Sequence, residues 1–316
     1  MAEPLTLLTA ALARRTESPV EISSAVNPRY RHLSELLESA RARRRARLTV
    51  LEGWHLLESW LLQPRASGDS TMPSATAIHA LVLPQRTWRR VMAALQGHHG
   101  EEAGAEAGEG VHQARPEAAL QALCASRWLV LEDRLFDALD VLPSPAPVLA
   151  LVPIPHAELP ASLGEQDVVI LDRVQDPGNV GAIIRTAAAA GISWLITTPG
   201  TAACWAPKVL RAGMGGHFAM TIVESVAIDT LLARLAQPLV GTIVQPGKTL
   251  PLYEADLRAP LAWVFGNEGE GIDTALQTRL GQGVTIPQTA GVESLNVAAA
   301  AAICLFEQRR QRLMAG

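Results

Sequence analysis

Cysteine is scarce in this chain. Its three copies, Cys124, Cys204 and Cys304, lie far apart and are odd in number. That excludes a disulfide framework and favours reduced thiols in a cytoplasmic protein. No Cys/His set has zinc spacing, so no metal site is expected. His98 and His99 stand side by side in a Gly/Glu-rich stretch and read as solvated. No apolar run reaches the roughly 20 residues of a membrane span. The run LTLLTAALA is followed, not preceded, by Arg14 and Arg15, the wrong order for a secretory signal. A strong charge of one sign is also missing. The net charge of −4 argues against a globally basic nucleic-acid binder, and a chain 48% apolar and 18% charged is not disordered throughout. One region departs from this balance. Arg29, Arg31, Arg41, Arg43, Arg44, Arg45 and Arg47 face only Glu35 and Glu38, as a solvated helix end or a phosphate-contacting patch would.

The common nucleotide fingerprints are missing too. Gly247-Lys248-Thr249 resembles the end of a P-loop, but Thr242 stands where the earlier glycine belongs and Pro251 spoils the following helix. No G-x-G-x-x-G follows the first strand of either half, which disfavours a Rossmann dinucleotide site.

A chain of 316 residues has room for two domains. Residues 1–26 read as a poorly ordered leader, 27–155 as a first α/β domain and 156–316 as a second. In the first, helices are expected at 30–46, 53–62, 86–96 and 116–125, and strands at 47–52, 78–83 and 127–132. The insertions 64–77 and 97–110 lack apolar content and should be surface loops. The second alternates more clearly. Strands are expected at 167–172, 192–197, 218–223, 239–244, 261–266 and 283–287, with helices at 179–190, 206–213, 227–236, 272–280 and 293–311. That pattern implies a mostly parallel, helix-covered sheet, with ligands beyond the carboxyl ends of its strands.

Three segments of this half carry polar chemistry. In LDRVQDPGNVGAIIRTAAAAG (171–191) a buried strand breaks at Asp176-Pro177-Gly178-Asn179, Asn179 is placed to cap the next helix, and Gly191 ends it. Arg185 is the one charge on an otherwise apolar helix and should snorkel out or face a polar site. In WVFGNEGEGI (263–272) three glycines in six residues allow close approach to the main chain, as a ligand or a plain tight turn would use. In TIPQTAGVESLNVAAAAAICLFEQRR (285–310), Glu293, Ser294 and Asn296 stand at a helix start, where capping alone explains Ser and Asn. Alanines 298–302 require a close-packed neighbour.

In order and spacing these segments resemble the three motifs of the SpoU family, S-adenosylmethionine-dependent RNA 2′-O-ribose methyltransferases of the SPOUT class. APKVLRAGMGGHF (206–218) resembles a further stretch of that family. The likeness covers roughly 165–312, and Ala298 stands where the family usually has serine. From Leu48, LTVLEGWHLLESWL resembles, more weakly, the family's small L30e-like substrate-binding domain. The resemblance implies a parallel α/β domain with a deep trefoil knot, S-adenosylmethionine bound in it, and a homodimer packed through that domain. It implies a cofactor site at Gly266, Asn267, Glu268, Gly269, Ile286, Leu295 and Asn296. A catalytic set of Arg185, Asn179, Glu268, Ser294 and Asn296 is implied, with RNA contacts at Arg29, Arg31, Arg43, Arg44, Arg45 and Arg211. Arginine is a poor base, so Arg185 is expected to steady the oxyanion and a nearby phosphate while the proton leaves to a phosphate oxygen or water. The expected activity is ribose 2′-O-methylation of structured RNA, most readily ribosomal, by a cytoplasmic protein. Transfer RNA as substrate, a base-modifying enzyme of the same class, or a non-catalytic RNA-binding or ribosome-assembly protein of the same fold are the alternatives.

Overall fold

Short apolar runs closed by Asp, Pro or Gly set the framework of both halves. The computed structural model describes residues 4–62, 77–97, 114–139, 141, 147–243, 249–289 and 294–315. The expected loop insertions fall almost wholly outside the described residues, as does Glu293. The chain divides into two compact units, Met1–Pro155 and His156–Gly316.

Among the described residues the first unit is built on five strands: β1 (Val20–Ile22), β2 (Leu48–Glu52), β3 (Ala80–Pro84), β4 (Arg127–Leu131) and β5 (Leu149–Pro153), in the order β1-β4-β3-β5-β2. β1, β4 and β3 run parallel; β5 is antiparallel to both neighbours. Leu33 and Leu36 of α2 (Pro28–Glu38) and Ala42 of α3 (Ala40–Ala46) close the core over this sheet. The remaining helices are α1 (Pro4–Ala13), α4 (Trp54–Leu61), α5 (Gln85–Gly97), α6 (Ala114–Ala125) and α7 (Asp133–Asp137).

Two expectations are corrected here. From Pro4 onward the expected leader is structured: α1 buries Leu8 and Ala11 against α5 and α6, and β1 joins the sheet. Arg15 secures it by donating to the carbonyls of Cys124 (2.8 Å) and Ser126 at the end of α6. The single helix over 30–46 is two. Ser39 ends α2 in an extended conformation, and its hydroxyl caps α3 by accepting from the Ala42 N–H at 3.2 Å.

Among the described residues the second unit has seven strands, all parallel: β6 (Val168–Leu171), β7 (Trp194–Thr197), β8 (Thr221–Val223), β9 (Leu239–Thr242), β10 (Thr249–Pro251), β11 (Ala262–Phe265) and β12 (Leu280–Thr285). Their order is β10-β12-β9-β11-β6-β7-β8. The chain moves outward from β6 to β8, returns to β9, then inserts β11 beside β6. The order therefore reverses between β6 and β11, where open α/β sheets collect ligands.

Helices α8 (Pro177–Ala190), α9 (Pro207–Gly213), α10 (Ile228–Leu232), α11 (Thr274–Gln277) and α12 (Val297–Ala315) complete the unit. α8 packs on both α9 and α12, which is the close neighbour the alanine run demands. A Cβ on Gly181 would come within 2.5 Å of the Val209 carbonyl oxygen, so the α8–α9 crossing requires glycine. The far end of α12 is fastened to the sheet. Arg312 pairs with Asp167 and donates to the Ala259 carbonyl at 2.8 Å, and the Gln308 side chain accepts from the buried Trp263 indole at 2.8 Å. Among the described residues no helix is long and apolar enough to cross a membrane, no Cys, His, Asp and Glu cluster could hold a metal, and the cysteines are free.

Candidate methyl-transfer site

At the carboxyl ends of β9, β11 and β12 lies a cleft of about 340 Å³. Its walls are Thr242 and Ile243 at the end of β9, Gly266–Glu268 with Gly271 and Ile272 after β11, Val284–Ile286 and Gln288 at and after the end of β12, and Ser294–Val297 with Ala300 at the start of α12. Its volume falls in the roughly 300–1,000 Å³ range of small-molecule pockets.

The β11 loop is shaped by its own residues. Gly266 is buried, and a Cβ there would sit 2.4 Å from the Gly271 carbonyl carbon, so only glycine lets the loop fold back on itself. Asn267 exchanges main-chain hydrogen bonds with Gly271 at 3.0 Å, and its side-chain oxygen accepts from the Gly269 and Glu270 N–H groups at 2.8 and 2.9 Å. Gly266, Asn267 and Glu268 line the cleft. Gly269, expected beside the cofactor, is instead part of the turn and does not line the cleft.

Asn179 does not cap its helix, contrary to expectation. Asp176 takes that place, its carboxylate accepting from the Asn179 N–H at 2.8 Å, with Pro177 in the first turn. The Asn179 side chain is thereby free for the site. It donates to Glu268 Oε1 at 2.8 Å and accepts from Asn296 Nδ2 at 2.9 Å. Asn296 does cap: its Oδ1 accepts from the Ala298 and Ala299 N–H groups at 2.9 and 3.3 Å. Because that oxygen must face α12, the amide nitrogen must face Asn179, and Asn179 must in turn present its nitrogen to the Glu268 carboxylate. One cap fixes the polarity of the chain Asn296→Asn179→Glu268.

The structure thus brings Asn179, Glu268 and Asn296 into direct contact and sets Ser294, Leu295, Ile286 and Gly266 around one cleft. Arg185 stands apart. It is exposed on α8, forms no hydrogen bond or ion pair among the described residues, and lies outside the cleft lining, its backbone against Gly216. Arg211 is half-buried on α9. Of the expected RNA-contacting arginines, Arg29, Arg31, Arg44 and Arg45 are exposed. Arg43 is a correction. It is buried, and its guanidinium donates to the Leu36 and Leu37 carbonyls at 2.7 and 3.1 Å, closing the open end of α2. Sequence patterns also passed over Asp172, Arg173 and Thr198, which hold the β11 loop from behind. Asp172 is the sole signal, an acid closing an apolar strand.

The SpoU rRNA methylase family model matches residues 166–306. The 23S rRNA (guanosine(2553)-2′-O)-methyltransferase RlmP of Bacillus subtilis is 34% identical over 183 residues, 57% of this chain and 71% of that protein. The chain belongs to the SpoU family. An uncharacterized tRNA/rRNA methyltransferase of Synechocystis is 36% identical over 163 residues, spanning 51% of this chain and 56% of that protein. In structure the chain resembles an AdoMet-bound rRNA methyltransferase from Sinorhizobium meliloti, with a TM-score of 0.68 and 25% identity over 92% of this chain and 97% of that one. The SpoU methyltransferase AviRb from Streptomyces viridochromogenes, at 23% identity, shares the fold with a TM-score of 0.66.

Proposed function

We propose that the protein transfers a methyl group from S-adenosylmethionine to a ribose 2′-hydroxyl of ribosomal RNA. The observation that carries this is the hydrogen-bonded set Asn179, Glu268 and Asn296, in which Asn179 of the first motif joins residues of the second and third motifs that line the cleft.

The cleft suits that cofactor. Ile243, Ile272, Val284, Ile286 and Leu295 give apolar walls for an adenine, while the Gly266 main chain, bare of side chain, and Gln288 offer polar edges. S-adenosylmethionine supplies a methyl already activated on a sulfonium. The chain then has to orient the acceptor and manage one proton. Asn179 and Glu268 position the ribose. Arg185 steadies charge on the 2′-oxygen and the adjoining phosphate, and the proton leaves to a phosphate oxygen or water.

α12 follows β12 yet packs on α8, the helix after β6, with β9 and β11 lying between those strands. The return of the C-terminal segment across the sheet supports a trefoil knot. We read the first unit as the L30e-like substrate-binding domain, with Arg29, Arg31, Arg44 and Arg45 on RNA phosphates, joined by Arg211 of the second unit. The protein is proposed to be a cytoplasmic homodimer packed through its C-terminal unit.

The test is methylation of purified ribosomal and transfer RNA with a labelled methyl donor, followed by alkaline hydrolysis. Label in an alkali-resistant dinucleotide from ribosomal RNA is expected. Label confined to transfer RNA would change the substrate, and no binding of the donor at millimolar concentration would replace the enzyme with an RNA-binding protein. An Arg185→Ala protein working at the wild-type rate would remove Arg185 from the mechanism.

A further inference from the structure

The residues joining β6 to α8 also hold the β11 loop. Asp172 is fully buried, and a buried carboxylate persists only when its oxygens are satisfied. Thr198 Oγ1 donates to Oδ1 at 2.8 Å, the Asp273 N–H donates to Oδ2 at 2.7 Å, and the Arg173 guanidinium stands 3.5 Å away. Asp273 comes directly after the loop and caps α11. Arg173 holds the rest: it donates to Glu270 at 2.6 Å and to the Gly271 carbonyl at 3.4 Å, while its own carbonyl accepts from Asn267 Nδ2 at 2.9 Å.

Arg173 does this at a local cost. Its φ of 56° lies in the left-handed region, which disfavours side chains other than glycine. Its buried Nε has no hydrogen-bond partner among the described residues. Such a geometry persists where the surroundings over-determine it. The pair with Glu270 does not explain it, because the Glu270 side chain is 73% exposed and exposed pairs contribute little.

We propose that Asp172 and Arg173 are positioning residues for the methyl-donor cleft. They tie the loop that supplies Gly266, Asn267, Glu268 and Gly271 to the start of α8, four residues beyond Arg173, which supplies Asn179. The two walls of the site share one anchor, and the Asn179–Glu268 contact depends on it. This rests on the reading of the cleft as the cofactor site.

Two variants probe the anchor without breaking the fold. Arg173→Gly removes the side chain but suits the left-handed backbone. Thr198→Val removes the hydroxyl that donates to Asp172 and accepts from the Arg173 N–H at 3.2 Å; Thr198→Ser restores it. S-adenosylhomocysteine is titrated calorimetrically onto the full-length proteins. Both variants should bind on the order of tenfold more weakly, and Thr198→Ser should bind as wild type does. In turnover the KM for the methyl donor should rise while the KM for RNA holds. Adding Arg173→Gly to Glu268→Gln should cost less than it does alone. Folded Arg173→Gly and Thr198→Val proteins with wild-type affinity would overturn the proposal. Failure of the wild-type protein to bind would remove the cofactor reading instead. Hydrogen exchange over 263–276 would then decide the anchor: faster exchange in both variants supports it, and unchanged exchange overturns it.

Discussion

Asn296 performs two tasks with two atoms, and one substitution separates them. Its Oδ1 caps the 19-residue α12 and its Nδ2 donates to Asn179. Asn296→Asp keeps the acceptor and adds a negative charge at the positive end of the helix, worth roughly 0.3–1 kcal/mol. It removes the donor. Asn179 must then either leave its oxygen against the new carboxylate or turn its amide and set that oxygen against Glu268. In both cases one hydrogen bond becomes two facing acceptors. Hydrogen bonds to charged groups contribute about 1.5–3 kcal/mol, and water at this exposed rim brings the loss to the lower end, on the order of tenfold in kcat/KM. Asn296→Ala loses both tasks, and the missing cap alone costs about 1 kcal/mol. Calorimetric melting paired with initial rates of methyl transfer reads the two effects separately. Asn296→Asp should melt at or above wild type and turn over slowly; Asn296→Ala should melt lower. Wild-type kcat/KM in Asn296→Asp, or a melting loss equal to that of Asn296→Ala, would refute the polarity argument.

Three further outcomes are expected. Burial lowers the His217 pKa to about 4, below its unfolded value near 6.5. Its stabilising neutral form is therefore fully kept above pH 6.5 and lost as pH falls towards 4, a cost of up to about 3 kcal/mol. Urea unfolding at pH 7.5 and 4.5 should show a smaller acid penalty in His217→Gln, and an equal penalty would exclude this histidine. Gly266→Ala drives a methyl against the Gly271 backbone; the loop should open and S-adenosylhomocysteine binding weaken on the order of tenfold or more, so tight binding in calorimetry would contradict the packing argument. Arg43→Ala strips the partners from two carbonyls and should cost about 1–3 kcal/mol of stability. Arg44→Ala should leave melting unchanged and flatten the salt dependence of RNA binding; the reverse pattern would exchange their roles.

Much of this framework was legible in the sequence because much of it is local. VVIL, WLIT and AWVF are apolar runs closed by Asp, Thr or Gly, and they fold as the strands they suggest. The misreadings come from competition and from distance. Asp176 and Asn179 both qualify as caps, and the first acceptor ahead of Pro177 takes the position. LTLLTAALA carries no signal of its own fate, because α1 is held by Arg15 reaching residues more than a hundred positions away. β1 and β10 are three-residue edge strands that exist only through their partners.

The site divides in the same way. Each motif was recognisable because it carries its own turn, glycine or cap within a few residues. What joins the motifs was not. Asn179 meets Glu268 across 89 positions and Asn296 across 117; the first contact follows from β11 inserting beside β6 and the second from α12 packing on α8. Arg173 shows the limit most clearly. Its left-handed backbone is set by what Asp172, Thr198 and Asn267 require of it, so nothing in its neighbouring residues marks it. Capping glycines and asparagines can be read one segment at a time; an anchor exists only once two loops have been brought together.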